Sequence, residues 1–532
     1  MKLFARGDVD GFFAIALDNL VQLLLIPALC LGVVGISPGM VYGRILPGIA
    51  VSYIVGNLFY SWQAHRLARR ENRTDVCAMP FGLNTPTMIA YAFLVMLPAR
   101  QLALSRGAAD PDTAAWQAGL VACLGSGTIE FFGSFVAQSL RRMTPRAALL
   151  ASLSGAGFAY LTLNFVLDLY AHPVVGIATL GLAFLFFFSG LRPKGNIPAA
   201  LVILAVGTAM AWATGLAPGA PVPAGTVALR LPHFVGGALM GGLRGGQFLP
   251  YLPIIIPMGL LNLLASMQCV ESAAAAGDSY SLRSSLAANG LCTFAAACFG
   301  SPFPTSIYIG HPAWKRMGAR AGYSTLNAVF MTVVCFTGSL AAIGWAVPAE
   351  AGVAIIVWVG LIITTQAFEA TPQRQWPAVI IGMVPVVLSW ATFNVKNGMR
   401  IAEADRGFLL SQALVDRFHG AGTFIDGGFA VEQGAFFAAL ILSAATVFII
   451  ERRLVVAAVW MMVASVLSLL GLMHAWRFAG GDTIGSLPLL DQLTNSVVAG
   501  PLFPAAGFAI GYAILGLLLL TAKWFTEPEI RE

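Results

Sequence analysis

The sequence predicts an all-α polytopic membrane protein in which two sets of seven membrane spans are related by inversion. Three observations lead to this fold class. Of the 532 residues, 58% are hydrophobic and 10% are charged, whereas soluble domains carry about 25% charged residues. Apolar runs of membrane-span length recur along the whole chain. Two of these runs are interrupted by similar Pro-rich clusters, at 79–87 and 301–307.

Sixteen apolar segments are candidate spans, of which the tenth is short. Runs of about 17–25 residues suffice to cross a bilayer. With the N-terminus inside, alternate loops place 20 of the 30 Lys and Arg residues on the inner side, as the positive-inside bias requires. Both termini are therefore predicted to be cytoplasmic. The segments run approximately 11–35, 42–63, 77–98, 115–138, 146–168, 172–190, 196–216, 248–276, 282–300, 302–314, 322–347, 350–369, 376–393, 433–450, 454–475 and 501–523.

The two Pro-rich interruptions fall in the third and tenth spans, so seven spans separate them. A repeat of odd length enters the membrane in the opposite sense the second time, which makes it an inverted repeat. Hydrocarbon tolerates irregular backbone only where it is buried in protein or lines a cavity. Paired breaks in two halves therefore indicate a solute site between them. The halves would be 1–216 and 217–450, followed by two extra spans within 454–523.

Other sequence features argue against competing classes. The seven cysteines are scattered singly, with neither metal-site spacing nor a disulfide framework. No His-Glu-x-x-His motif, P-loop or dinucleotide fingerprint occurs, so we expect no enzyme, cofactor or metal site. The first nine residues contain no apolar run, so no removable signal peptide is expected. A receptor or scaffold would not need broken spans, and the net charge of +6 is explained by orientation in the membrane.

The segment from Asp75 to Pro86 resembles the third-span motif of the nucleobase/cation symporter-2 superfamily, in particular its azaguanine-like xanthine/uracil permease branch. Further similarity lies at 283–290, 299–308, 322–324 and 377–398. The resemblance implies a core domain (spans 1–4 and 8–11) and a gate domain (spans 5–7 and 12–14), with a short strand and a half-helix in each broken span. The expected boundaries are 1–145 and 248–347 for the core, 146–247 and 348–450 for the gate, and 451–532 for the extra spans.

The match departs from the family at the acidic residues that hold the solute. Asn262 stands where the family places a carboxylate in span eight, and Gly310 stands where it places one in span ten. Asp18 adds a carboxylate to span one, where the family is usually neutral. Carboxylates at positions 262 and 310 would repel an anion, so their replacement keeps an anion carrier open as an alternative.

Polar groups beside the breaks are the expected solute ligands. Asn84 and Thr85 offer an amide and a hydroxyl at the start of a half-helix, where the helix dipole favours a partly anionic group. Asn262 and Ser266 lie along one side of span eight and either face the solute or bond to neighbouring helices. Aromatic side chains near the breaks either stack on a planar solute or serve packing. The expected set is Phe81, Gly82, Asn84, Thr85, Asn262, Ser266, Phe303, Thr305, Ser306 and Tyr308.

Carboxylates inside the membrane are the candidates for ion coupling. Each costs several kcal/mol, about 2.5–3.5 by insertion scales, so a functional interpretation is the default. Asp18 and Asn19 form a polar face of span one, Glu130 lies near the middle of span four, and Glu271 lies towards the cytoplasmic end of span eight. The alternative for each carboxylate is a structural role, hydrogen bonded to a neighbouring helix or in contact with water.

These features predict a secondary-active transporter that works by alternating access. The main prediction is a proton- or sodium-coupled symporter of a nucleobase or similar planar heterocycle, bound between spans three and ten. The alternative is a small-anion transporter of the sulfate, bicarbonate or dicarboxylate type on the same fold. The expected partners are the solute, a coupling cation (H+ or Na+) and the lipid bilayer of the cell membrane, without nucleic acid. The sequence is also compatible with a homodimer.

Overall fold

The computed structural model describes residues 3–219, 221–222, 226–246, 248–402, 409–479, 482–488 and 502–527. The fold is mostly helical, at 76%, and a short strand lies at each of the two predicted breaks. Within the described residues, eight helices are long and apolar enough to cross a membrane, and two bent helix pairs qualify as further spans. The chain is therefore a multi-pass integral membrane protein.

A helix overlaps each predicted segment, and further short helices and strands lie between the segments. Those of the first half are α1 Gly7–Val34, α2 Pro38–Arg70, β1 Phe81–Leu83, α3 Thr85–Ser105, α4 Pro111–Met143, α5 Arg146–Ala171, α6 Pro173–Phe188 and α7 Ala199–Thr214. Those of the second half are α8 Gly236–Arg244, α9 Leu249–Ala275, α10 Leu282–Cys298, β2 Thr305–Ile307, α11 His311–Arg316, α12 Gly322–Thr337, α13 Leu340–Ala346, α14 Val353–Glu369, α15 Gln373–Ala402, α16 Gln412–Gly420, α17 Ile425–Glu432 and α18 Ala435–Ile450. The C-terminal elements are α19 Leu454–Leu469, β3 Trp476–Ala479, β4 Asp482–Gly485, β5 Leu502–Phe503 and α20 Ala506–Trp524.

Two bent helix pairs occur at predicted spans: α12–α13 fills the predicted 322–347, whereas in the second pair only α18 lies in the predicted 433–450 and α17 precedes it. The α12–α13 pair bends by 105° and the α17–α18 pair by 87°. The tenth span is short, as the sequence predicts, because only the six residues of α11 are helical after β2.

The described residues form two compact units. Unit 1 draws on Met1–Ser139, Tyr160–Tyr251 and Met258–Ile363, and unit 2 on Leu140–Ala159, Leu252–Pro257 and Thr364–Glu532. Both broken spans and all the predicted site residues belong to unit 1. The core–gate division expected from the sequence remains a proposal.

The main apolar cluster of unit 1 draws on helices from both halves of the chain, namely α1 to α4, α8, α12 and α13. Leu23 of α1, Ile49 of α2, Met88 of α3, Trp116 of α4 and Met331 of α12 are all fully buried in it. In a bilayer, close packing rather than escape from water holds such helices together. This cluster packs around the start of α3 and thereby supports the break in the third span.

Unit 2 carries a small sheet that the sequence analysis missed. Strands β3, β4 and β5 pair antiparallel in the order β4-β3-β5. The Trp476 and Phe503 rings stack with centroids 3.9 Å apart. Strands of two to four residues are too short to show the alternation by which strands are detected in a sequence.

Lys396 of α15 anchors this sheet through a buried ion cluster. Only 1% of the residue is exposed. Its Nζ donates to Glu432 at 2.6 Å, to Asp482 at 2.5 Å and to the Thr483 hydroxyl at 3.1 Å. A buried ammonium needs partners of this kind, because an unpaired buried charge is very unfavourable.

Replacing Lys396 with Met is expected to lower the free energy of unfolding by about 3–5 kcal/mol, since the variant leaves two carboxylates without their shared cation. Thermal unfolding of the purified protein in detergent measures the loss. Arg400→Met is the matched control, because Arg400 is partly exposed and lies 3.6 Å from Asp482; its cost should stay within about 1 kcal/mol. Equal losses in both variants would contradict the buried cluster as the anchor.

Candidate functional site

The two broken spans meet in a short antiparallel ribbon formed by β1 and β2. Phe81 pairs with Ile307, Gly82 with Ser306, and Leu83 with Thr305. Two further backbone bonds extend the ribbon, from the Asn84 N–H to the Pro304 carbonyl at 3.0 Å and from the Tyr308 N–H to the Pro80 carbonyl at 2.8 Å. Helix α3 begins at one end of the ribbon and α11 follows at the other. The sequence-predicted breaks therefore pair with each other directly.

Proline explains why both spans break at these points. Pro80, Pro302 and Pro304 lack the N–H that a continuous helix requires. Pro86 lies in the first turn of α3, where a missing N–H costs nothing. Asn84 caps this helix, and its side chain accepts the Thr87 N–H at 2.9 Å.

A buried hydrogen-bond chain runs from the start of α3 to Glu130, and we call it the Glu130 chain (Thr87, Asn84, Asn262 and Glu130). The Thr87 N–H donates to Asn84 Oδ1, Asn84 Nδ2 donates to Asn262 Oδ1 at 2.7 Å, and Asn262 Nδ2 donates to Glu130 Oε2 at 2.8 Å. A backbone N–H can only donate, so it sets the direction of each amide in turn. The chain therefore requires acceptors at its end, which the Glu130 carboxylate and the Thr305 carbonyl, 3.0 Å from Asn262 Nδ2, provide.

A second amide completes the surroundings of Glu130. Asn289 Nδ2 donates to Glu130 Oε1 at 2.7 Å and to the Ser266 hydroxyl at 3.3 Å. The Thr305 hydroxyl of β2 donates to Asn289 Oδ1 at 3.1 Å and lies 2.9 Å from the Thr293 hydroxyl. All five residues are fully buried. Asn289 and Thr293 were not predicted from the sequence. An Asn in an apolar helix that directly precedes a Gly- and Pro-containing break is a signal that could have identified them.

The opposite face of the ribbon carries a different polar group, which we call the Asn19 face (Asp18, Asn19, Gln22, Gly82 and Tyr308). A Cβ atom at Gly82 would lie 2.4 Å from Asn19 Oδ1 and 2.6 Å from the Tyr308 ring, so only glycine fits there. The Tyr308 hydroxyl donates to Gln22 Oε1, and Gln22 Nε2 lies 3.5 Å from an Asp18 carboxylate oxygen. Helix α1 therefore places Asn19 against the middle of the ribbon and connects the Asp18 carboxylate to Tyr308 through Gln22.

Asn19 is the most informative residue of this face. Its side chain is fully buried, yet within the described part of the chain neither amide atom has a hydrogen-bond partner. The hydroxyl of Tyr53, which is 1% exposed, lies near the Leu83 backbone N–H, which can only donate, so the Tyr53 O–H proton has no acceptor among the described residues. Buried polar groups without partners are rare and call for an explanation, such as a bound solute, water or ion. The Asn19 face is therefore the better candidate for solute contact.

The remaining predicted residues occupy packing or peripheral positions. Phe81 is fully buried, and its ring lies 5.4 Å from that of Tyr60. Phe303 is fully buried in the main apolar cluster. The Ser306 hydroxyl donates to the Ile307 carbonyl at 3.1 Å. Thr85 begins α3 and is partly exposed, and Glu271 is 3% exposed in the last turns of α9.

A second buried carboxylate, Asp278, lies in the loop between α9 and α10 and was missed by the sequence analysis. It accepts Lys315 Nζ at 2.6 Å, Arg73 at 3.1 Å and the Cys77 N–H at 3.0 Å, and it lies 3.2 Å from His311 Nε2. Burial opposes its ionisation, but the hydrogen bonds and charges of His311 and Lys315 outweigh burial and lower the pKa of Asp278 to about 2. Asp278 thus fastens the segment before β1 to α11.

One group of side chains has the spacing of a metal site. Asp168, His172 and Glu350 place their ligand atoms within 4.8 Å of one another, and all three are partly exposed. Among the described residues this is the one such group found, and none of its members belongs to the ribbon. Partly exposed acidic groups of this kind are common, so the group does not bear on the central site.

Solved structures provide matches to this chain, whereas no protein-family model and no curated protein matches it. The transmembrane domain of BicA, a cyanobacterium bicarbonate transporter, matches with a TM-score of 0.40 and 16% identity over 72% of this chain and 95% of that chain. SLC26A9 matches with a TM-score of 0.35 and 12% identity over 73% and 62%. Murine Slc26a9, an anion transporter in the inward-facing state, matches with a TM-score of 0.30 and 12% identity over 70% and 65%.

These matches correct the family expected from the sequence. The three matched structures are a bicarbonate transporter and SLC26A9-type proteins, one of them named as an anion transporter, and none is a nucleobase/cation symporter, so the family and the nucleobase-type solute expected from the sequence are not supported. The motifs misled because broken third and tenth spans are required by the architecture, whatever the solute is. At 12–16% identity and TM-scores of 0.30–0.40 the matches establish neither the family nor the solute of this chain. The chemistry of the solute therefore rests on this chain's own residues.

Proposed function

We propose that the chain is a cation-coupled, secondary-active transporter of a small anion, which binds at the Asn19 face of the ribbon. The observation that carries the proposal is the fully buried Asn19, whose amide has no partner among the described residues and lies against Gly82 at the centre of the paired breaks. Asn19 Nδ2 and the Tyr53 hydroxyl supply neutral donors of the kind that hold a small anion in a buried site. Alternating access is the transport mode that such paired breaks serve.

Three features favour an anion over a neutral solute. The α3 helix dipole places positive potential at the end of the ribbon. Asn262 and Gly310 occupy positions at which carboxylates would repel an anion. The oxygens of Glu130 accept the amides of Asn262 and Asn289, so this carboxylate is held by its own partners.

Asp18 explains why a coupling cation belongs to the proposal. Its carboxylate lies next to Asn19 in sequence and, through Gln22, beside Tyr308. An anion would be repelled from this face unless a cation neutralised Asp18. A proton or Na+ at Asp18 and an anion at Asn19 would favour each other's binding, which is the thermodynamic basis of symport. Glu130 and Glu271 remain proposed as further coupling residues.

The test is uptake of bicarbonate, sulfate and a dicarboxylate into proteoliposomes under imposed proton or sodium gradients. We expect one of these anions to accumulate only with a cation gradient. Asp18→Asn should abolish the cation dependence and the accumulation while leaving anion exchange in place, because the neutral amide no longer needs a cation. Asp110→Asn, in an exposed loop, is the control. Absence of uptake for all three anions under both gradients would contradict the proposal.

Gly82→Ala is expected to reduce uptake at least about tenfold, because the added methyl group would displace Asn19 and Tyr308 from the ribbon. Overpacking of this kind costs about 1–3 kcal/mol, so the variant should still fold. Gly43→Ala in α2 is the matched control, since a Cβ atom there meets nothing within 4 Å. Wild-type uptake by Gly82→Ala would exclude the Asn19 face as the solute site.

A further inference from the structure

A cavity of about 380 Å³ in unit 1 is separate from the ribbon and collects arginines from distant parts of the chain. It is lined by Arg6 before α1, Arg192 after α6, and Arg316 and Arg320 around the turn that follows α11. In the sequence these four residues fall in three separate segments that are predicted to be cytoplasmic. The positive-inside bias accounts for each segment on its own. That bias does not require them to converge on one cavity. Their convergence is a property of the tertiary structure.

The charge of this arginine cavity is unbalanced. Asp10 is the one acidic residue among the described residues that line it. With Arg316 set aside because it has a further contact, the guanidinium groups of Arg6, Arg192 and Arg320 against one carboxylate leave a formal excess of two positive charges. The Asp10 carboxylate already accepts the Ala200 N–H at 2.8 Å. Asp8 lies behind the lining and accepts the N–H groups of Ala5 and Arg320 at 2.6 Å each, which holds two sides of the cavity together. Including Asp8 still leaves an excess of one, and like charges gathered in one cleft attract an anion.

Trp358 supplies an independent observation. It lines the same cavity, is 1% exposed, and packs on Phe187 with ring centroids 4.6 Å apart. Its Nε1–H has no hydrogen-bond partner among the described residues. An indole N–H can only donate, so a buried one without a partner lacks an acceptor. An oxyanion in the cavity would supply that acceptor.

The kind of anion follows from these groups. Guanidinium groups form paired hydrogen bonds with phosphate oxygens, and several arginines around one cleft are typical of phosphate recognition. The volume lies within the usual range of small-molecule sites, about 300–1,000 Å³. Two apolar side chains at the cavity are largely exposed, Leu191 at 58% and Ile197 at 46%. These apolar groups suit a phosphate that carries acyl chains, although the arginines alone also suit a soluble phosphate.

We propose that the arginine cavity binds a phosphate group, carried either by the headgroup of an anionic phospholipid or by a soluble phosphorylated compound. In the first case the bound lipid ties the N-terminal segment before α1 to the turn after α11. In the second case the cavity senses a soluble anion on the side of the membrane to which these loops belong.

Native mass spectrometry of the full-length protein tests the proposal in two arms. One arm adds phosphatidylglycerol or, for comparison, phosphatidylcholine, and the other arm adds inorganic phosphate. Arg192→Gln removes one exposed guanidinium group, and Trp358→Phe removes the indole N–H together with part of the ring system. The control is Arg70→Gln, at the exposed end of α2 and outside the cavity.

We expect phosphatidylglycerol to bind in preference to phosphatidylcholine, or inorganic phosphate to bind, with apparent affinity reduced about tenfold by Arg192→Gln and unchanged by Arg70→Gln. If Arg192→Gln weakens only the binding of phosphatidylglycerol, the ligand is a lipid headgroup. If it weakens the binding of inorganic phosphate, the ligand is a soluble phosphorylated compound. Trp358→Phe should weaken the same arm. Equal binding by Arg192→Gln and Arg70→Gln in both arms would overturn the proposal, as would the absence of phosphatidylglycerol and phosphate binding to the wild type.

Discussion

Replacing Glu130 with Gln is expected to abolish coupled anion uptake and to lower the stability by about 1–3 kcal/mol, the cost of a buried donor left without an acceptor. Both carboxylate oxygens now accept an amide N–H, from Asn262 at 2.8 Å and from Asn289 at 2.7 Å. Gln brings an NH2 group to one of these positions, where two donors then face each other. Uptake into proteoliposomes and thermal unfolding in detergent measure the two effects.

The side-chain amides of the Glu130 chain cannot remove this donor–donor contact by exchanging their oxygen and nitrogen positions. The Thr87 N–H belongs to the backbone of α3 and fixes Asn84 Oδ1 as its acceptor. Asn84 must therefore present its NH2 group to Asn262, and Asn262 must present its own to Glu130. A conflict at Glu130 is thus transmitted to the first turn of α3, where the third span is broken.

A double variant provides the control for this argument. Asn262→Asp alone places two carboxylates in contact and should be at least as destabilising as Glu130→Gln. Combined with Glu130→Gln, the introduced carboxylate accepts from both Asn84 and the new Gln amide, so every donor again has an acceptor. We expect the combination to be more stable than either single variant. If it is not, the proposed direction of the Glu130 chain is wrong. If the double variant regains stability but not uptake, Glu130 has a role in ion coupling as well.

Replacing Asp278 with Asn is expected to cost about 3–5 kcal/mol, because Arg73 and Lys315 lose the buried carboxylate they share. Asn keeps the shape of the side chain and an acceptor for the Cys77 N–H, so the loss reports the charge. Asp75→Asn is the matched control. Asp75 also pairs with Arg73, but its side chain is 49% exposed, and its cost should not exceed about 1 kcal/mol. Equal costs would contradict the central role of Asp278.

The same carboxylate predicts the direction of a pH effect. The pKa of Asp278 falls from 3.8 to about 2 in the folded protein, where the hydrogen bonds and charges of His311 and Lys315 outweigh burial. A depressed pKa stabilises the fold above the unfolded value, and this contribution disappears as the pH falls from about 4 to about 2. The wild type should lose about 2 kcal/mol over this range from Asp278. Asp278→Asn should lack that part of the acid dependence, which melting temperatures at stepped pH would show.

Single residues of the site could be selected from the sequence, but their partners could not. Pro80 and Pro302 identified the broken spans, and the rule that intramembrane carboxylates are functional selected Asp18 and Glu130. Asn289, by contrast, looks in the sequence like an ordinary polar residue of a helix bundle. Only packing brings α10 against α4 and places its amide 2.7 Å from Glu130.

The distribution of charged residues along the sequence likewise could not reveal which of them lie together in space. Lys and Arg in inner loops determine orientation one at a time, whatever their neighbours in space. The sequence therefore could not show that Arg6, Arg192 and Arg320 line one cavity. Nor could it show that Asp278 is buried among cations, because Arg73 and Lys315 are about 200 and 37 residues away along the chain.

By itself the sequence determined the membrane environment, the order of the spans, the inverted repeat and the two breaks, because these follow from apolar run length, loop charge and proline, which are local properties. The tertiary structure alone decided how the breaks pair, which amides surround Glu130 and which face of the ribbon leaves Asn19 without a partner. Hydrogen bonds of about 3 Å between residues more than one hundred positions apart depend on how helices pack. The broken spans predicted from proline and glycine thus marked the place of the site, and the packing around them determined its chemistry.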